Sequence, residues 1–387
     1  MNYLIVDLNI KLDGHKLGFV QNIIDYLEKN SDTKNQYYFL SNYSKDFRLK
    51  KKKNSQIELF ALTETQQNSV NSKKRFLEKS HLEWTLILEK AKELKIERLI
   101  LMELDPYQLS IFRSKVSFDI YGIWFRPYHR MEQEAKGLKN YLKFNLFKFQ
   151  KKITLFLALR NKSLKKVFIL NDELLPDLPI CKPPRFFYLP DPCFPYKQQA
   201  TFNLRQKYNI SSDKVIFLQF GFIDERKNTE NILLALNSLQ KSISEKVALL
   251  IIGKFKENYE QTLRSIIPSH AQYQTLFNPQ FISDSEMEST FSQSDVILRM
   301  NINFFGSSGI VGIAANHDKP CIVSNFGVMA DQVEEYNMGV IIDPYDIEEI
   351  MRSIQTFIEN PDQRKVSGKA YREAHTAEKF VQTLLDI

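Results

Sequence analysis

The sequence predicts an α/β fold built as two Rossmann-like domains facing across a cleft. Three observations carry the prediction. Short β-rich runs alternate with helical patterns through the first half of the chain. The texture then breaks in "PICKPPRFFYLPDPCFP", residues 179 to 195, where six prolines in seventeen residues cannot continue a helix or a central strand. Beyond that break the alternation restarts, and 387 residues are too many for one ordinary core.

The elements follow in order. "YLIVDL" (3–8), "YYFL" (37–40), "IELFAL" (57–62), "RLILMEL" (98–104), "FDIYGIWF" (118–125) and "VFIL" (167–170) are the strands of the first array. Between the first two, Val20, Ile23, Ile24 and Leu27 fall at helical spacing. The Pro-rich stretch is expected to be the connection between domains. After it come "VIFLQF" (215–220), "VALLIIG" (247–253), "VILRM" (296–300), "PCIVSN" (320–325) and "GVIID" (339–343), again separated by helical segments. The expected division is 1–190 for the first domain, 191–365 for the second and 366–387 for a closing helical segment.

Composition limits the classes open to the chain. With 43% hydrophobic and 26% charged residues it reads as a soluble globular protein. Three widely spaced cysteines, at 181, 193 and 321, argue against a disulfide framework and suit a reducing compartment. "MNYLIVDLNIKLDG" has no basic n-region and reads as a first strand, so a cytoplasmic location is expected, on the inner face of the membrane if the chain is peripheral.

The net charge is +7, and the interval from Lys136 to Lys166 holds ten Lys or Arg and no acid. Within 138–166, Leu138, Leu142, Leu146, Phe149, Ile153 and Phe156 form one stripe, with Phe144 and Phe147 outside it among the lysines. Two readings stand side by side: a basic helix lying on an anionic membrane surface, or a core helix with a solvated lysine face. Nucleic acid is not expected as a partner, because no RNP-type, zinc-finger or recognition-helix motif occurs.

Chemistry is expected just after the strands, where open α/β sheets hold ligands. "VIFLQF" leads into Gly221 and then Arg226 and Lys227, directly before a helix that Asn228 is placed to cap. Cations are misplaced at a helix start unless an anion joins them, because the free N–H groups there are already electropositive. After "VILRM" comes "NINFFGSSGIVGIAA", where Gly306, Ser307, Ser308 and Gly309 make a second strand-to-helix turn small enough for a phosphate to reach the backbone. No Gly-Lys-Ser/Thr follows, so this is not a P-loop.

"FGFIDERKN", "LLIIGKF", "FISDSEMESTFSQSDVIL", "GSSGIVGIAANHDKPCIVSNFG" and "MGVIIDPYD" resemble, in that order, the family 4 (group 1) glycosyltransferases of GT-B fold, over roughly residues 215 to 360. The resemblance implies a sugar transferred from a nucleotide-sugar donor, a co-substrate and not a cofactor, to a glycan or lipid-linked acceptor with retention of anomeric configuration. With no Asp-x-Asp and no ligand spacing among six His, no metal is expected. It further implies that Lys227, helped by Arg226 and Gly221, holds the donor diphosphate against the turn from Gly306 to Gly309. The sequence also departs from the family. Phe222 stands where an Arg is usual, and the two usual Glu positions fall on Asn303 and on Val311 or Ile313. No acid occurs between Asp295 and Asp318. These departures leave the stereochemistry open and admit an alternative, a non-catalytic GT-B subunit that partners an active transferase; a sugar-nucleotide epimerase would need a carboxylate cluster that the sequence does not offer.

On the acceptor side, "LNIKLDGHKLGF" carries Asp13, Gly14 and His15 at a turn after the first strand. "FDIYGIWFRPYHRMEQ" carries Arg126 and His129, and His129 is the candidate closest in kind to the His that the family sets beside the transferred sugar. Asp105 is a further candidate base. "SDSE", residues 283 to 286, reads as a capping box, Ser283 with Glu286, in preference to a metal site.

Overall fold

Each half of the chain builds one parallel sheet. The structure, a computed structural model, describes residues 1–10, 15–30, 34–45, 48–52, 54–125, 128–130, 138–174, 185–193, 198 and 201–386. In the first half the strands are β1 (Asn2–Asp7), β2 (Gln36–Ser41), β3 (Ile57–Ala61), β4 (Arg98–Leu101), β5 (Asp119–Ile123), β6 (Leu164–Leu170) and β7 (Phe186–Leu189), in the order β3-β2-β1-β4-β5-β6-β7. Helices cover both faces, as a parallel sheet requires. Leu4 and Val6 of β1 pack with Trp84 and Ile87 on one side. Tyr3 and Ile5, facing the other way, pack with Val20, Ile23, Ile24 and Leu27 of the helix His15–Lys29. The helical spacing of those four residues is therefore the stripe that meets the sheet.

The second sheet comprises β8 (Val215–Phe220), β9 (Val247–Ile252), β10 (Gln274–Asn278), β11 (Val296–Arg299), β12 (Cys321–Ser324) and β13 (Gly339–Ile342), ordered β10-β9-β8-β11-β12-β13. All neighbours pair in parallel, with Val215 opposite Val247 and Ile297 opposite Cys321. All six residues of β9 are buried, the mark of a strand covered on both faces.

The chain divides into two compact units, Met1–Pro190 with Ala377–Ile387, and Asp191–Thr376. The closing helical stretch from 366 is thus shared between units. The helix Lys369–Ala374 belongs to the second, where Tyr371 is 1% exposed and the Gly368 N–H donates to Asp318 Oδ1 at 2.7 Å. The helix Ala377–Leu385 returns to the first, where Phe380 meets Phe19 edge-on and Arg98 Nη1 donates to Leu385 O at 2.7 Å.

Two strands escaped the pattern reading, β7 and β10, and both lie at sheet edges. β7 begins inside the segment expected to be connection only; an edge strand tolerates the neighbouring Pro190 and Pro192 because one side of its ladder is unused. The helix Leu138–Leu159 corrects the core-helix alternative over most of its length. Leu142, Leu146, Phe149 and Ile153, four of the six stripe residues that a core helix would turn inward, are exposed at 59, 58, 57 and 39%. Leu155, Ala158 and Leu159 in its last turns make the contact with the core instead.

Candidate functional site

Strand order locates the site before any side chain is considered. In the second sheet the order runs outward in both directions from the β8–β11 pair, so the loops after these two strands diverge and leave a crevice at their carboxyl ends. The loop after β8 carries Gly221 and the single 3₁₀ turn Glu225–Lys227; the loop after β11 runs through Asn303 and Gly306 to the helix Gly309–Asn316. A backbone bond joins the two loops, with the Ile302 N–H donating to Arg226 O at 2.9 Å.

Lys227 is only 6% exposed. Its ammonium donates to Phe220 O at 2.8 Å and lies above Gly221, where a Cβ would stand 3.4 Å from Nζ. The turn is anchored beneath: Gln219 Nε2 donates to Lys227 O at 2.8 Å and Thr229 Oγ1 donates to Gln219 Oε1 at 2.6 Å. Burial, and then the neighbouring charges of Arg299 and Arg226, lower the Lys227 pKa well below the usual lysine value, with Asp224 opposing them. Asn228 stands at the helix start, but its backbone is left-handed with φ 61° and its side chain donates to Pro344 O at 2.6 Å; the expected cap is replaced by a tether to another loop.

Ser308 caps the helix Gly309–Asn316, accepting from the Ile310 N–H at 3.4 Å. The same hydroxyl accepts from Arg299 Nε at 2.9 Å. Ser307 donates to Asp191 Oδ2 at 2.7 Å, and burial lifts Asp191 to about 6 against the lowering effect of that bond. Gly306 and Gly309 stand in this turn, with Gly309 the first residue of the helix. Asn303 is exposed in a left-handed turn with φ 54°. Arg299 and Asp191 were not singled out in the sequence. Arg299 is the last residue of a strand whose other members are core, and Asp191 sits in the Pro-rich segment read as connection.

In the first unit the switch point lies between β1 and β4. Asp13, Gly14 and Arg126 lie outside the described residues; His15 opens the helix His15–Lys29, and its side chain lies outside them too. His129, in the turn after β5, bonds through Nε2 to Asp172 Oδ2 at 3.1 Å. Arg130 grips the same carboxylate through Nε at 3.1 Å and Nη2 at 2.5 Å. Burial pushes Asp172 up, but the bonds from His129 and Arg130 outweigh it and hold the carboxyl below its usual range. An ionised Asp172 accepts, so Nε2 carries a proton in this bond, and Nδ1 is buried with no partner among the described residues. Asp105, the other candidate base, accepts the Phe125 N–H at 2.9 Å and so ties the loops after β4 and β5 together.

Ser283 caps the helix Asp284–Gln293 by accepting from the Glu286 N–H at 3.2 Å. Glu286 does not close the expected box; its carboxylate pairs with Lys207. Among the described residues no group of three His, Cys, Asp or Glu side chains is placed to hold a metal ion, and no helix is long and apolar enough to cross a membrane.

Residues 201–374 match the family model for glycosyl transferases, group 1. No curated protein matches the chain. Among solved structures, WaaG, a glycosyltransferase involved in lipopolysaccharide biosynthesis, is 14% identical with TM-score 0.67, covering 99% of both chains. The sucrose-phosphate synthase of Thermosynechococcus elongatus is 13% identical with TM-score 0.71, over 100% of this chain and 97% of its own. HepE of Anabaena, solved in complex with UDP and glucose, is 12% identical with TM-score 0.65, over 100% of this chain and 98% of its own. At these identities the likeness establishes the GT-B fold, two Rossmann-like domains with flanking helices.

Proposed function

We propose that the protein is a glycosyltransferase that moves a sugar from a nucleotide-sugar to a glycan or lipid-linked acceptor with retention of configuration. The observation that carries this is the buried Lys227 ammonium above the bare backbone of Gly221, at the switch point of a unit that matches the group 1 glycosyltransferase model. In the transfer, the bond from the anomeric carbon to the diphosphate breaks and its electron pair leaves with the nucleoside diphosphate. The acceptor oxygen bonds to that carbon and gives up its proton. Lys227 and the turn from Gly306 to Gly309 stabilise the charge that develops on the leaving group, a role for preorganised donors in a poorly solvated site. His129, held by Asp172, serves the acceptor side, together with His15, Asp13, Gly14 and Arg126. A fold neighbour solved with UDP and glucose supports a nucleotide-sugar donor.

A specific observation favours the second reading, a non-catalytic subunit: no acid stands between Asp295 and Asp318 to hold donor sugar or ribose. Calorimetric titration with UDP, GDP, dTDP and CMP, followed by incubation with the matching nucleotide-sugar, separates the two. Binding with turnover is the expected result. Binding without turnover, with or without acceptor, selects the subunit, and no binding at all overturns the transferase and leaves the subunit.

The proposal includes an anionic membrane surface as the place of the acceptor. Leu142, Leu146, Phe149 and Ile153 are exposed along one side of the helix Leu138–Leu159, Tyr141 and Phe147 add to them, and Lys143, Lys148, Lys151 and Lys152 flank them. Apolar side chains left in water beside cations gain both burial and Coulomb energy on an anionic leaflet. Sedimentation with phosphatidylglycerol vesicles is expected to carry the protein down, less so at high salt. Leu146→Glu with Phe149→Glu should weaken that partition at least about tenfold. Equal binding to phosphatidylcholine vesicles, or none to either, refutes this part.

A further inference from the structure

Arg226 and Lys227 are neighbours in sequence, yet their side chains part. Arg226 is about half exposed, and its Nε donates to Asp224 Oδ2 at 2.8 Å, so its charge is already matched. Lys227 turns inward to Phe220 O. The cation that shares its surroundings comes instead from the end of β11. Arg299 is fixed by one bond, Nε to Ser308 Oγ at 2.9 Å, and by its guanidinium lying 5.4 Å from the Phe304 ring centre. Its Nη1 is buried with no hydrogen-bond partner, and no carboxylate pairs with Arg299 among the described residues. A buried, unmatched guanidinium nitrogen is costly in a finished protein, because its donors have lost water and gained nothing.

Three features lie on the two adjoining loops after β8 and β11. Lys227 stands over Gly221, Arg299 reaches the cap of the helix Gly309–Asn316, and the Ile302 to Arg226 bond locks the two loops together. We propose that Arg299, in place of Arg226, is the second cation of the site, and that Lys227 and Arg299 together select two linked phosphoryl groups over one. This rests on the donor site proposed above and deepens it. A lysine is a point charge that one phosphoryl group satisfies, whereas a guanidinium offers a planar fork to a second. Arg299 remains a cation at neutral pH, since burial and Arg226 lower it only to about 10. A guanidinium that no carboxylate pairs is suited to a di-anion, whose phosphoryl oxygens would supply the counter-charge that Asp224 gives only at a distance.

Inorganic pyrophosphate and orthophosphate are probes that need no knowledge of the base or sugar. Wild type is expected to bind pyrophosphate at least about tenfold more tightly than orthophosphate. Arg299→Met should bring the two within about threefold by weakening pyrophosphate alone, Arg299→Lys should restore part of the preference, and the melting temperature should not fall. Unchanged pyrophosphate affinity in Arg299→Met shows that Arg299 is not a ligand. An equal loss for both probes with a lower melting temperature shows a structural role, which also overturns the inference. If wild type binds neither probe, the donor-site reading itself fails, and that outcome is distinct from the other two.

Discussion

Lys227→Met is expected to abolish nucleoside-diphosphate binding while leaving the unliganded protein at least as stable as wild type. The two effects have one cause. Lys227 is 6% exposed, no carboxylate bonds its ammonium among the described residues, and Phe220 O is its acceptor. Burial, Arg299 and Arg226 all disfavour the charged form, which lowers its pKa well below the usual lysine value. A folded-state pKa below the unfolded one means that the unfolded chain holds the proton more firmly, so the charged lysine opposes folding. That cost is full below the folded pKa and shrinks as pH rises toward the ordinary value of 10.5. Methionine removes it at every pH. Melting curves collected from neutral pH upward should therefore show wild type gaining on Lys227→Met as pH rises through that window. The ligand reverses the balance: loss of a buried charge-assisted bond costs about 3 kcal/mol, roughly a hundredfold in affinity. A variant that melts far below wild type would make Lys227 a structural residue, and one that still binds would remove it from the site.

Sequence showed the position of Lys227 and hid that of Arg299 for a physical reason. Lys227 follows an unbroken apolar strand and a glycine, so its place at the mouth of a βα loop can be read locally. Arg299 ends a strand of the same kind, and only the pairing of β11 with β8 brings it beside a loop some seventy residues earlier. Asp172 was hidden likewise, being 43 residues from His129, and the carboxylate that orients a histidine has no sequence spacing to betray it. Among the strands, the central ones were legible because burial on both faces makes them continuous apolar runs. β10, "QTLFN", lies at an edge with every residue only partly buried, and its composition is correspondingly mixed. The helix Leu138–Leu159 shows the converse limit. Its apolar stripe was visible, but periodicity cannot say whether a stripe meets a core or a solvent boundary, and here, among the described residues, only Leu155, Ala158 and Leu159 are buried in the core.

Gly253→Ala should be among the most damaging single-methyl additions in the second unit, and its effect should reach the site. Gly253 follows β9 with φ +135°, and a Cβ there would fall 2.0 Å from Gly221 O and 2.7 Å from Gly221 C. Both partners are backbone, so no rotamer change relieves the overlap. The strand ends must separate, which strains the Gly221 N–H to Ile252 O bond of 3.0 Å and displaces the Phe220–Gly221 segment on which Lys227 rests. Adding an unfavourable backbone conformation to the clash, the cost should be roughly 3 kcal/mol or more, a fall of roughly 6–12 °C in the melting of this unit. Gly339→Ala supplies the comparison. Its φ is +143° and its Cβ would fall 1.9 Å from Cys321 O, an equal insult placed between β12 and β13 instead of beneath Lys227. Both variants should be destabilised to a similar degree. At temperatures where each remains folded, Gly339→Ala should keep its pyrophosphate affinity and Gly253→Ala should lose most of it. Parallel losses in the two would show that binding tracks overall stability, and the dependence of the site on the Gly221 backbone would then be refuted.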